Sequence, residues 1–289
     1  MRSEKFMHMK LLGILLFYPN SLCFSLSVNP ELTKLPSESL LVNGLSATDP
    51  RPFFVNISID SGKTFCGGSI ITAHWILTAA HCLSEFDISR MVVIVGDFRS
   101  TNSPKEYFKV KKVFTHYDYF GSPPKWDYDS SHDIGLIKLD SPILEPSAVI
   151  PLCNRKPPQG QLLGMCGVGS THLKLRQRAE VLQETFLVER PWSIWDLSLT
   201  NEEYFVGLIQ AQNTVLNSCT SGGDSGSPLY LVSKDGCGHA QCLYGVTTHR
   251  VFKLKNRKED PTYLGNMFFI SVPKFYKWIA KTVNDNYRT

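Results

Sequence analysis

The sequence predicts an all-β fold of barrels or sandwiches that ends in one α-helix. Apolar and polar residues alternate over 53–59, which is the period of a β-strand. Short runs of this kind recur between turn residues along the chain, an arrangement typical of barrels and sandwiches. Helical periodicity is convincing only at 273–284. Its apolar stripe consists of Phe275, Trp278, Ile279 and Val283.

The other strands are predicted from short runs of β-prone residues between turns. We expect strands at 69–72, 75–78, 91–96, 107–113, 134–139, 161–168, 243–248 and 267–272. The charged run at 253–260 is most simply an exposed loop, and no internal repeat interrupts the series.

The first residues of the 289-residue chain are typical of a protein made for export. Basic residues precede a short apolar run at 11–18, and small residues follow it. This order predicts a signal peptide over 1–25, cleaved somewhere within about 21–27, and then a propeptide or linker at 26–40. The apolar run is too short to cross a bilayer, and no later run is long enough. We therefore expect a secreted, extracellular protein without a membrane span.

The composition is that of an ordinary globular protein with a formal net charge of +4. So small a charge on a chain of this size does not indicate nucleic acid as a partner. Eight cysteines in an exported chain are expected to form disulfides. Asn56-Ile57-Ser58 is an N-glycosylation sequon, which predicts a glycan on Asn56.

A serine between glycines is the first candidate for chemistry. The stretch 221–228 reads Ser-Gly-Gly-Asp-Ser-Gly-Ser-Pro, with Ser225 as its fifth residue. Glycine lets the backbone approach a reacting carbonyl, and backbone N–H groups in such a turn can receive an oxyanion. Taken alone, the stretch fits an ordinary Gly/Ser turn equally well. A base for Ser225, and a group that orients the base, would decide between the two.

Two motifs upstream supply these groups. His81 lies in Thr-Ala-Ala-His-Cys, and Asp133 lies in His-Asp-Ile-Gly-Leu. Each residue alone is more often structural, the histidine as a buried core residue and the aspartate as a turn or cap. Together with Ser225 they form a complete set, because a serine needs an imidazole to take its proton. The imidazole in turn needs a carboxylate that holds its tautomer.

In the order His, Asp, Ser, these motifs resemble those of the trypsin/chymotrypsin family of serine endopeptidases. An α/β-hydrolase does not fit, because its order is Ser, Asp, His and its motif has glycine where this chain has Ser227. The resemblance implies a chymotrypsin-like fold of two perpendicular antiparallel β-barrels with a C-terminal α-helix. The implied boundaries are 41–285 for the protease domain, about 41–150 and 155–272 for its barrels, and 273–284 for the helix.

The resemblance also implies a role for each matched residue. Ser225 is the nucleophile, His81 is the general base and then the acid, and Asp133 orients His81. The backbone N–H groups of Gly223 and Ser225 form the oxyanion hole.

Activation departs from the family pattern. Family zymogens are usually cut after Arg or Lys, and the freed terminal ammonium pairs with the buried aspartate that corresponds to Asp224. The best match to that terminus here begins at Leu41 and follows Leu40, which a tryptic activator would not recognise. The alternatives are that a protease of another specificity cuts the Leu40–Leu41 bond, or that this bond is never cut.

The specificity pocket departs further. Counting from Cys219 puts Asn217 at the pocket base, whereas counting back from the nucleophile puts Cys219 there. Neither residue is acidic, so selection for Arg or Lys has no charge partner. Thr248, Arg250 and Met267 align with the substrate strand and pocket walls, where the last two are bulky enough to narrow the pocket. Alternatively, the long loop between them shifts the register.

One cysteine pairing is implied by the resemblance, namely Cys66–Cys82, which ties the histidine segment to its strand. A second family disulfide is missing at both ends, where this chain has Leu163 and Leu231.

The other cysteines leave alternatives open. Cys237 and Cys242 are expected to close a small hairpin loop, and a metal site in the same segment is less favoured because no second ligand pair matches it. Cys153 aligns with a cysteine that tethers the propeptide in some relatives. Its one upstream candidate, Cys23, is expected to leave with the signal peptide, so at least one cysteine is free or pairs between chains.

The favoured function is a secreted serine endopeptidase that acts on protein or peptide substrates and is not selective for Arg or Lys. It needs no cofactor and no metal. The alternative is a catalytically impaired homologue that binds a partner or a protein inhibitor. A general esterase ranks third, because the departures concern substrate binding and leave the triad intact.

Overall fold

The computed structural model describes most of the chain beyond residue 44. The described residues are 45–60, 63–84, 86–119, 132–170, 179–190, 208–213, 220, 222–233, 240–248 and 266–287. The expected signal peptide, propeptide and 253–260 loop lie outside them, as do Leu41, Asn217, Cys219 and Arg250.

Strands dominate the described part of the chain, and the all-β prediction is confirmed. The strands are β1 (Leu45–Ser46), β2 (Phe54–Ile59), β3 (Lys63–Thr72), β4 (Trp75–Thr78), β5 (Met91–Gly96), β6 (Lys105–Thr115), β7 (Gly135–Leu139), β8 (Leu162–Gly167), β9 (Gln183–Arg190), β10 (Leu208–Asn213), β11 (Pro228–Val232), β12 (Ala240–Thr247) and β13 (Asn266–Ser271). The α-helices are α1 (His81–Ser84) and α2 (Val272–Asp285).

Strands β2 to β7 close into a six-stranded antiparallel barrel in the order β2-β3-β4-β7-β6-β5. Apolar residues of these strands are fully buried, because a barrel of this size is filled by its own side chains. Those with no exposed surface include Val55, Ile57, Ile70, Ile76, Val93 and Leu136.

Strands β8 to β13 form the second sheet, in the order β9-β10-β13-β12-β11-β8. Strand β8 also pairs with β9, from Leu162 opposite Val188 to Gly167 opposite Gln183, so the six strands complete a ring. Strand β1 adds to the outer edge of β9. In chain order, β1 of the second sheet therefore comes before all six strands of the first barrel.

Helix α2 follows β13 and covers the barrels with one apolar face. Phe275 and Ile279 are buried, and Trp278 and Val283 pack against the same core, so the predicted stripe is confirmed. Pro273 lies in the first turn, where its missing N–H costs nothing. At fourteen residues, α2 is the longest helix in the described ranges, and none of them has a helix long and apolar enough to span a membrane.

Four strands were not predicted from the sequence, namely β1, β9, β10 and β11. Strand β9 has three consecutive buried polar residues at 183–185, which hide its period. The Glu184 carboxylate accepts a hydrogen bond from Arg51 Nε at 2.7 Å and one from the Tyr230 hydroxyl. Burial raises the pKa of Glu184, and the Arg51 charge opposes that rise. A buried pair is tolerated here because its partners satisfy it.

The sequon residue Asn56 lies inside β2, which pairs with β3 on one side and β5 on the other. Its side chain is 7 % exposed, and its Oδ1 has no hydrogen-bond partner among the described residues. A glycan needs the side-chain amide at the surface, so this burial argues against the predicted modification in the folded protein.

A lysine organises the loop between β5 and β6. Lys105 Nζ donates to the backbone carbonyls of Asp97 (2.6 Å), Ser103 (3.1 Å) and Ser100 (3.2 Å). Burial lowers the pKa of the Lys105 ammonium, and the charge of Asp97 opposes the shift. The three carbonyls replace water around the ammonium, so the loop is wrapped around a cation that belongs to the chain.

We predict that Lys105→Met destabilises the protein by about 1–2 kcal/mol, because three carbonyls lose a charged donor. The free energy of unfolding in urea measures the effect. The matched control is Lys109→Met on the same strand, where the lysine is exposed and the change should be near neutral. Equal values for the two variants would contradict the role assigned to Lys105.

Candidate active site

The predicted histidine lies where the first barrel brings two strand ends together. Thr78, the last residue of β4, pairs with Gly135, the first residue of β7. His81 comes three residues after the first, and Asp133 two residues before the second. A disulfide between Cys66 and Cys82 holds the histidine segment to β3, as the resemblance implied. The register therefore places His81 beside Asp133.

The Asp133 carboxylate holds His81 through both of its oxygens. Oδ1 accepts the backbone N–H of His81 at 2.8 Å, and Oδ2 lies 2.7 Å from the His81 Nδ1. Asp133 is 4 % exposed. Burial pushes its pKa upward, but the His81 charge and the hydrogen bonds from His81 and Thr248 outweigh burial, and the pKa is lowered. The carboxylate is therefore kept ionised, and the ring orientation is fixed.

Thr248 has a contact that the sequence did not predict. It was expected on the substrate strand, and its hydroxyl donates to Asp133 Oδ2 at 2.5 Å. Thr248 is 4 % exposed, so its side chain faces Asp133 rather than solvent. The signal available in the sequence was the alignment of Thr248 with a serine in the substrate strand of the family. Through Thr248 the second barrel contributes directly to the aspartate of the first.

The Ser225 turn is anchored between the barrels by its backbone. Gly67 N–H donates to the Ser225 carbonyl at 2.7 Å, and Gly226 N–H donates to the Thr247 carbonyl at 2.7 Å. A Cβ on Gly226 would collide with the Thr78 hydroxyl, so the turn lies against the strand end that leads to His81. Ser225 is 4 % exposed.

Glycine is required at two positions of this turn. Gly223 has φ 105° and Gly226 has φ 80°, both in the region that side chains disfavour. The backbone carbonyl of Gly222 accepts a hydrogen bond from Ser170 N–H at 2.9 Å. This bond and the Gly223 conformation set the direction of the Gly223 N–H group. This is the group that the sequence assigns to an oxyanion hole.

Asp224 is fully buried beside β8. Its Oδ1 accepts the backbone N–H of Gly169 at 2.9 Å. A Cβ on Gly169 would collide with the carboxyl group, which explains the glycine there. The activation residue expected to pair with Asp224, Leu41, lies outside the described residues.

Of the pocket residues, Met267 and Thr248 are described, and Asn217, Cys219 and Arg250 are not. Met267 is 1 % exposed and packs in a buried cluster of the second sheet. The neighbours in that cluster include Leu187, Ile209, Leu229 and Phe269. The Met267 side chain therefore fills part of the apolar core of the second barrel.

The predicted Cys237–Cys242 hairpin disulfide is wrong. Cys242 pairs with Cys153, which is 89 positions away in the sequence, with a Cα–Cα distance of 5.2 Å. Cys153 N–H also donates to the Leu243 carbonyl at 2.9 Å, so the backbone sets the bridge. Since Cys242 has no free sulfur, it cannot be the thiolate ligand that the alternative metal site required.

The missing family disulfide is replaced by apolar packing. Leu163 on β8 lies opposite Leu231 on β11, the two positions where the sequence lacks cysteines. Nearby, Cys166 is a free and buried thiol. Burial, and secondarily the charge of Glu184, raise its pKa well above the ordinary value, so this thiol is unreactive in the folded protein.

Two β-barrels with a histidine–aspartate pair and a glycine-flanked serine at their junction define the chymotrypsin-like class of folds. The family model described as Trypsin matches residues 42–279. The chain therefore belongs to the trypsin family of serine proteases.

Sequence comparisons with individual proteases agree with this assignment. The chain is 28 % identical over 243 residues to mouse (Mus musculus) granzyme F, covering 81 % of this chain and 86 % of the relative. It is also 28 % identical over 207 residues to granzyme M of Rattus norvegicus, covering 66 % and 74 %. Trypsin theta of Drosophila melanogaster is 28 % identical over 202 residues, covering 66 % and 72 %.

Solved structures support the fold. Neuropsin, a serine protease expressed in the limbic system of mouse brain, matches with a TM-score of 0.65 at 24 % identity, covering 83 % of this chain and 99 % of neuropsin. Human heparin binding protein matches with a TM-score of 0.62 at 22 % identity, covering 84 % and 96 %.

We predict that Thr248→Val destabilises the protein by about 1.5–3 kcal/mol at neutral pH, because ionised Asp133 loses a donor. The folded pKa of Asp133 lies below its unfolded value of about 3.9. Its hydrogen bonds therefore stabilise the fold fully above that pH, and the stabilisation is lost as the pH falls through the folded pKa. Urea denaturation at several pH values measures the difference.

Thr247→Val is the matched control for this pH dependence. The Thr247 hydroxyl donates to the neutral Ser227 carbonyl at 2.9 Å, so its loss should be equally destabilising at neutral and acid pH. A pH-independent difference for Thr248→Val would contradict the assigned contact with a charged carboxylate.

Proposed function

We propose that this protein is a secreted serine endopeptidase that hydrolyses peptide bonds through Ser225, His81 and Asp133. The observation that carries the proposal is the double hydrogen bond of Asp133 to His81, at 2.8 and 2.7 Å. A buried carboxylate that accepts from Nδ1 keeps the proton on that nitrogen. Nε2 then has the lone pair that a general base requires.

The proposed reaction proceeds in two halves. The Ser225 hydroxyl oxygen attacks the peptide carbonyl while His81 Nε2 takes its proton, giving a tetrahedral oxyanion. The Gly223 and Ser225 N–H groups stabilise that oxyanion. The C–N bond then breaks, the imidazolium protonates the leaving amine, and an acyl-enzyme forms. Water repeats the sequence in the second half, returning the proton to Ser225 and releasing the acid.

The proposed substrates are proteins or peptides without a required Arg or Lys at the cleaved bond. Selection for a basic side chain needs an acidic group at the pocket base, and the candidates Asn217 and Cys219 are neutral. An apolar or small side chain at the cleaved bond fits these residues best.

Export is part of the proposal. The disulfides Cys66–Cys82 and Cys153–Cys242 are typical of an oxidising compartment. The signal-peptide pattern at the start of the sequence supports the same location.

Activation by cleavage before Leu41 is also proposed. The freed ammonium would pair with Asp224, which is buried beside Gly169, and would hold the turn that contains Gly223. A buried aspartate of this kind is a strong site for a cation, because removing one partner from a buried ion pair costs about 3–5 kcal/mol.

The second candidate function is a homologue that binds a partner or a protein inhibitor and hydrolyses little. It is favoured by Arg250, which aligns with the pocket and is bulky enough to narrow it. It is also favoured by Leu40, after which a tryptic activator does not cut.

Active-site labelling tests the proposal. We predict that the chain cut before Leu41, through an engineered protease site ending at residue 40, reacts with a fluorophosphonate at Ser225, which peptide mass spectrometry locates. Ser225→Ala should abolish labelling, whereas the exposed control Ser141→Ala should label like the wild type. No labelling and no turnover of a peptide library by the cut wild type would overturn the proposal and favour the homologue.

We further predict that Asp133→Asn lowers the labelling rate of the cut chain by about 10⁴-fold, because the amide stabilises the wrong imidazole tautomer. The amide keeps the size of the carboxylate, so the variant should stay folded, which circular dichroism checks. A loss of less than tenfold would mean that the aspartate does not act through His81.

A further inference from the structure

Two histidines and an aspartate meet beside the triad without having a part in it. His132 Nε2 lies 3.7 Å from Asp118 Oδ2, and His116 Nδ1 lies 4.0 Å from the same oxygen. One donor atom from each of the three residues lies within 4.8 Å of the others. The sequence did not predict this cluster, since sixteen positions separate His116 from His132.

The two imidazoles are held in place by their surroundings. Their rings stack at 5.0 Å with 24° between the planes. Phe275 of α2 meets both rings edge-on, at 5.1 Å from His116 and 5.6 Å from His132, and Trp278 lies 5.1 Å from His116. These ring contacts restrict both imidazoles, so the donor set is partly preorganised.

The protonation of His116 suits a ligand. Asp118 N–H donates to His116 Nδ1 at 3.2 Å, so Nδ1 carries the lone pair of the ring, and a metal bound there would replace this hydrogen bond. A neutral imidazole is the form that binds a metal.

We propose that His116, Asp118 and His132 form a Zn²⁺ site, with water as the fourth ligand. Two imidazoles and a carboxylate are a donor set that zinc accepts, and a tetrahedral site spaces its ligand atoms by about 3.4 Å. The 3.7 and 4.0 Å separations come close to that spacing. The side chains of Asp118, 43 % exposed, and His132, 24 % exposed, have room for the small rotation required.

The site connects the end of β6 to the residue before Asp133. His116 N–H donates to the Ile134 carbonyl at 3.1 Å, and Ile134 N–H donates to the His132 carbonyl at 2.7 Å. A metal bound by the three side chains adds a second link between the same two segments. Zinc therefore stabilises the backbone on which the triad aspartate stands, and this role does not depend on the proposed protease activity.

Zinc titration of the full-length secreted chain tests the site, with a chromophoric chelator as competitor. We expect the wild type to bind one Zn²⁺, and Asp118→Asn and His132→Gln to bind it at least about tenfold more weakly. His74→Gln removes a histidine outside the cluster and should bind like the wild type. Asp118 is half-exposed, so its amide variant should keep the metal-free melting temperature.

A second readout follows the same three variants. Zinc in large excess should raise the melting temperature of the wild type and of His74→Gln by about 5 °C. The rise should be absent in Asp118→Asn. The proposal is overturned if the wild type takes up no stoichiometric zinc, if the two ligand variants bind like the wild type, or if His74→Gln weakens binding equally.

Discussion

The buried carboxylate of Asp133 is the interaction on which the rest of the site depends. Asp133 is 4 % exposed, and its carboxylate has donors from both barrels, His81 from the first and Thr248 from the second. These donors allow a charged group to be buried there. Without those donors, burial would favour its neutral form. The charge that holds the imidazole is therefore a property of the junction between the barrels.

The turn that contains Ser225 lies at the same junction and is held there largely by hydrogen bonds of its backbone. Gly67 from the first barrel and Thr247 from the second each hold one peptide of the turn, and glycine at 226 allows the close approach to β4. Behind it, apolar packing of Leu163 against Leu231 ties two neighbouring strands of the second sheet, and the Cys153–Cys242 bridge ties the segment before β8 to β12. Backbone hydrogen bonds, the glycine at 226 and the buried Asp224 carboxylate together fix this turn.

What could be predicted from the sequence was set by local pattern and by motif. The bounds of β4 and β5 were predicted as observed, because both strands are short apolar runs between turns. Strand β9 was missed, since the burial of Glu184 depends on contacts with Arg51 and Tyr230, which are 133 and 46 positions away. The partner of Cys242 was missed for the same reason: the pairing depends on which strands become neighbours, and no spacing in the sequence encodes that.

The loop held by Lys105 has a consequence for how the first barrel responds to its surroundings. A loop wrapped around a dissolved ion is ordered only while that ion is abundant, because binding follows mass action. Here the cation is covalently part of the loop, so its effective concentration stays the same on dilution, in chelators and at any ionic strength. The order of this loop is thereby uncoupled from the ionic composition of the medium.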